Sequence, residues 1–87
     1  MPSSWEWWVG NHFALDDGEY DLGCVKTRED AIAVGLRETA PGELFYIIEA
    51  RSSTARKHEG ADFVPFTATR NATVLCHGID GVAKVMP

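Results

Sequence analysis

The chain has 87 residues, of which 45% are hydrophobic and 24% are charged; this composition is ordinary for a soluble globular protein and fits one domain over residues 1–87. Thirteen acidic residues against eight Lys and Arg residues give a formal net charge of −5, which argues against general binding to nucleic-acid phosphates because that binding needs clustered cations. A core this small leaves little room for an enclosed reaction centre, so we expect a binding protein rather than an enzyme.

No hydrophobic run approaches the roughly 20 residues that a membrane-spanning helix needs, and the first residues lack the basic and then apolar pattern of a signal peptide. The sequence therefore predicts no membrane partner and a cytoplasmic location. Cys24 and Cys76 are too few for a disulfide scaffold. We expect both thiols to lie in the core as small hydrophobic groups.

Two strands are predicted at the start of the chain. Residues 5–10 are rich in aromatic and β-branched side chains, which favour strands. Alternation places Trp5 and Trp7 on one face, where we expect them to be core residues, and Trp8 on the other. A polar segment with an Asp-Asp-Gly turn signal leads to a second predicted strand over residues 20–25. We expect the two strands to form an antiparallel hairpin.

One helix is predicted between Thr27 and the Ala-Pro-Gly sequence at 40–42. Thr27 is a suitable N-cap because its hydroxyl can accept a hydrogen bond from the backbone N–H of Asp30. A stripe of small and aliphatic residues at helical spacing should pack on the sheet. Its members are Ala31, Ile32, Gly35 and Leu36. Gly35 costs ~1 kcal/mol relative to Ala inside a helix; a close approach to the sheet would explain its presence, and so would simple tolerance.

The strongest strand pattern covers residues 43–51 and predicts the central strand of the sheet. Apolar side chains occupy both of its faces, which is typical of a strand that is buried on both sides. Phe45 and Ile47 share one face. We expect that face to be the outer one, where it would suit a homodimer.

The last part of the chain alternates between loop-like and apolar segments. Residues 52–62 are predicted as a loop, and residues 63–66 are apolar but contain a proline, which confines them to an edge or a bulge. Further strands are predicted over residues 73–76 and 79–85, the second with Asp80-Gly81 as a turn. Together the patterns predict an α+β fold: four or five mainly antiparallel strands carry one helix on one face, in the order β-β-α-β-β.

Several short pieces of sequence occur in a characteristic order. They are Trp-Trp-Val-Gly at 7–10, an acidic and aromatic piece at 17–20, Cys24, Thr-Arg-Glu-Asp-Ala-Ile at 27–32, Phe-Tyr-Ile-Ile-Glu-Ala-Arg at 45–51 and Phe-Thr-Ala-Thr-Arg-Asn at 66–71. In these pieces the chain resembles a group of small uncharacterised proteins encoded in phages, prophages and alphaproteobacterial genomes. The group often carries a helical insert between the last two pieces, where this chain has a short loop. The resemblance implies a phage or prophage origin and binding to a host protein, including components of host defence, but no known activity.

An acidic and aromatic patch is the first candidate binding surface. It consists of Trp8, Asp16, Asp17, Glu19, Tyr20 and Asp21. Carboxylates beside an exposed indole suit a basic protein surface, because aromatic side chains anchor interfaces and opposite charge steers association. The alternative interpretation is a solvated turn beside a covered Trp8.

A locally basic group is the second candidate. It consists of Arg51, Arg56, Lys57 and Arg70. If the fold gathers these side chains they could bind an anion, and the chain would be a small nucleic-acid or nucleotide-binding domain. The net charge makes nucleic acid the weaker expectation as a partner.

Catalytic and metal-binding motifs are missing from the sequence. No phosphate loop, dinucleotide fingerprint or catalytic triad order is present, and the Cys and His residues match no zinc-site spacing. We therefore predict no catalytic residue, no metal and no cofactor. The expected function is a non-enzymatic protein-binding module that binds, and by binding inhibits, a host protein with a basic surface, in the cytoplasm of the host cell if the chain is encoded by a phage.

Overall fold

The computed structural model describes residues 5–12, 20, 22–52 and 66–86. They form one helix and a five-stranded antiparallel sheet, which confirms the predicted α+β fold. The elements are β1 (Glu6–Asn11), β2 (Gly23–Val25), α1 (Arg28–Glu38), β3 (Leu44–Ser52), β4 (Phe66–His77) and β5 (Ala83–Val85). Over these residues no helix is long and apolar enough to cross a membrane.

The strands lie in the order β2-β1-β3-β4-β5, so β3 is the central strand, as predicted. β1 pairs with β2 as the expected antiparallel hairpin, although β2 is shorter than the predicted strand over residues 20–25. β1 also pairs with β3, and β5 lies at the opposite edge of the sheet from β2. One end of the sheet therefore carries the end of β1, the start of β3 and the β4–β5 turn.

β4 is much longer than the strand predicted over residues 73–76. Its early part is polar, and a β-bulge interrupts its pairing with β3, because Ile48 lies opposite both Asn71 and Ala72. Asn71 has a φ of 55°, a left-handed conformation that Asn tolerates better than most residues. Both features weaken the alternating pattern by which strands are recognised. Of the predicted segment at 63–66, only Phe66 lies among the described residues.

The helix begins and ends where the sequence predicts. The Thr27 hydroxyl accepts a hydrogen bond from the Asp30 backbone N–H at 3.1 Å, so the N-cap is confirmed. Ala31, Val34 and Gly35 are the buried residues of α1, and the rest of the predicted stripe is half-buried. The helix packs on β1, β2 and β3, on one face of the sheet.

The core lies between this helix and the sheet. Its fully buried members include Val9, Phe45 and Ile47. The expectation of an outer face formed by Phe45 and Ile47 was wrong, because α1 covers that face, and the homodimer surface inferred from it does not exist. Alternation showed which residues of β3 share a face, but it could not show which face the helix covers.

The expectation that both cysteine thiols lie in the core was also wrong. Cys24 is exposed and Cys76 is half-buried, and neither of the two forms a disulfide bond. Cys24 pairs with Trp8 across β1 and β2, and Cys76 pairs with Leu44 across β3 and β4. Both lie on the sheet face opposite the helix, so neither contributes to the core, and the short edge strand β2 leaves Cys24 in contact with solvent.

Candidate functional site

The structure describes only part of the acidic and aromatic patch. Trp8 and Tyr20 are half-buried, whereas Asp16, Asp17, Glu19 and Asp21 lie outside the described residues. Trp8 alternates with the core residue Val9, so it lies on the face opposite α1. Burial raises the pKa of Tyr20, and the nearby Tyr46 phenol raises it further. The structure thus brings Tyr20 close to Tyr46, which lies on β3.

The basic group is also described in part, and the fold does gather two of its members. The Arg70 guanidinium lies 3.9 Å from the centroid of the Trp5 ring, and the Arg51 guanidinium lies 5.9 Å from it. These are cation–π distances. Arg56 and Lys57 lie outside the described residues. Trp5 was predicted as a core residue, whereas it is half-buried, and its contact with two arginines was missed.

Glu49 occupies much of the hydrogen-bonding capacity of Arg70. The two residues are partners across β3 and β4, and Arg70 Nε and Nη2 donate to the two Glu49 carboxylate oxygens at 2.8 and 3.1 Å. The Asn71 side-chain amide donates a third bond at 3.0 Å. The bond from Arg70 lowers the pKa of Glu49. This bidentate pair offsets the Arg70 charge, which makes an anion site here weaker than the sequence suggested.

Replacing Glu49 by Gln should lower the unfolding midpoint at neutral pH, because the bidentate pair with Arg70 is lost. The pKa of Glu49 is depressed in the folded state, so its stabilisation is present above the ordinary glutamate pKa and is lost as the pH falls through the lower folded-state value. The midpoints of wild type and variant should therefore converge on acidification. Thermal unfolding followed by circular dichroism between about pH 7 and about pH 3 measures this convergence.

Glu38→Gln serves as the control for that experiment, because Glu38 pairs with Arg37 at 3.3 Å on the exposed surface of the helix. Exposed pairs of this kind contribute about 0–1 kcal/mol, so we expect a small effect at every pH. A Glu49→Gln deficit that stayed constant from neutral to acidic pH would contradict the ion-pair explanation.

The end of the sheet that carries the β4–β5 turn exposes large apolar side chains. Ile79 is 92% exposed, Val85 59%, Val82 56% and Met86 41%. Ile79 and Val82 lie in the turn, whereas Val85 shares a sheet face with its partner Leu75 and Met86 alternates to the other face. The sequence predicted a strand over residues 79–85 with Asp80-Gly81 as a turn; the turn is present, and the strand is confined to Ala83–Val85. No sequence signal showed that Ile79 and Val82 are exposed.

A shallow, open depression lies at the same end of the sheet. Its volume is about 250 Å³, and it is lined by His12, Gly42, Glu43 and Leu44. Its small volume and its opening to solvent suit a side chain of a partner better than a sequestered substrate. Among residues 5–12, 20, 22–52 and 66–86, no group of three His, Cys, Asp or Glu side chains is arranged to hold a metal ion.

Comparison of the chain with protein-family models, with curated proteins and with solved structures finds no match. The resemblance to phage and prophage proteins therefore stays a prediction. The residues of two of its pieces nevertheless meet in the fold, since Glu49 and Arg51 come from one and Arg70 and Asn71 from the other.

Proposed function

We propose that the chain is a non-enzymatic protein-binding module. The observation that supports this proposal is the exposure of two large apolar side chains in the β4–β5 turn, because apolar patches on a protein surface mark interaction sites. Ile79 is 92% exposed and Val82 is 56% exposed. A solvent-facing isoleucine gains nothing for the fold, whereas burial against a partner would contribute about 1.5–3 kcal/mol.

The proposed partner is a host protein with a basic surface. The net charge of −5 favours approach to such a surface and disfavours nucleic acid. The acidic and aromatic patch, of which Trp8 and Tyr20 are described, would supply this attraction. The proposed action is inhibition of the host protein, a component of host defence being the case that the resemblance implies, together with a phage or prophage origin and a cytoplasmic location.

Small-anion or nucleotide binding is the second candidate, because Arg51 and Arg70 converge on Trp5. The Glu49 carboxylate that binds Arg70 weighs against it. A mobility shift of single-stranded DNA or RNA that weakens with salt would favour this candidate. The absence of any shift at low salt would eliminate it for nucleic acid.

Reversing the charge of the patch with Asp17→Lys and Glu19→Lys should reduce capture of a partner from an alphaproteobacterial lysate. The expected reason is lost attraction between the carboxylates and a basic surface. Immobilised wild type and variant are compared by quantitative mass spectrometry of the retained proteins. We expect at least one protein to be retained by the wild type and depleted several-fold on the variant.

A matched double variant changes the net charge by the same amount elsewhere. Glu29→Lys and Glu38→Lys alter exposed positions of α1, and they should leave capture nearly intact. Equal loss in both double variants would show that global charge matters and that the patch is the wrong surface. If the wild type retains nothing, protein binding itself is the wrong function.

A further inference from the structure

We draw no further inference here: the strongest candidate, the apolar face of the sheet opposite α1 that carries Leu44, Ile48 and Val74, carries no proposal because nothing in the part of the chain that the structure describes shows what covers it.

Discussion

Gly35→Ala is expected to destabilise the fold even though alanine is the better helix former. A Cβ at Gly35 would overlap the Phe45 ring, and Phe45 is fully buried in the core. Helix propensity alone would favour Ala by ~1 kcal/mol. Overpacking in a well-filled core typically costs about 1–3 kcal/mol and occasionally more, so the steric term should outweigh the propensity gain where the ring cannot move aside.

Thermal or urea unfolding of the variant measures this balance. Each kcal/mol of lost stability should lower the unfolding midpoint by about 4–8 °C for a domain of this size. Ala33→Gly makes the reverse change at an exposed position of the same helix, where propensity alone should operate and cost ~1 kcal/mol. A stabilised Gly35→Ala protein would show that the helix shifts freely and that close packing does not explain the glycine.

A second variant shows where the strain arises. Phe45→Leu shortens the side chain that meets the new methyl group, at the cost of lost burial in the core. If the overlap with Phe45 is the cause, the Gly35→Ala/Phe45→Leu double variant should be more stable than the sum of the two single effects predicts. Strict additivity would place the strain elsewhere.

Local sequence signals were sufficient to predict the helix and the central strand. Thr27 caps the helix as predicted because capping depends on residues only three apart in sequence. The strand that contains Phe45 and Ile47 was predicted correctly, because a run of apolar and β-branched residues indicates a strand even when its neighbouring strands are unknown. Which of the two strand faces the helix covers depends on tertiary packing. The prediction that Phe45 and Ile47 face outward was therefore wrong.

The functional surfaces were less predictable, because they depend on contacts between distant segments. Glu49 and Arg70 are adjacent only because β3 and β4 are neighbours, and no spacing in the sequence showed that their charges offset one another. Ile79 matched a strand pattern, but it lies in a turn and is 92% exposed. Exposure of an apolar residue is a property of the assembled fold, so the strongest candidate contact was invisible to pattern alone.

The C-terminal end of α1 is linked to β4 by a further tertiary contact that, like the Glu49–Arg70 pair, the sequence did not predict. The Thr39 hydroxyl donates to the Gly35 carbonyl at 2.6 Å and lies 3.1 Å from His77 Nδ1. Because its single proton is directed to the carbonyl, the hydroxyl must accept from Nδ1–H, which assigns the tautomer of neutral His77. His77 is 9% exposed, so water cannot readily replace this partner.

Thr39→Val should therefore destabilise the fold by about 1–3 kcal/mol, because it keeps the shape of the side chain but leaves the buried Nδ1–H without an acceptor. Thr39→Ser retains the hydroxyl and is the control, with an expected loss well below that of Val. Urea unfolding measures both variants, and the exchange rate of the His77 ring proton reports the bond directly. Equal losses for Val and Ser would show that the threonine methyl, and not the hydroxyl, holds the helix end against β4.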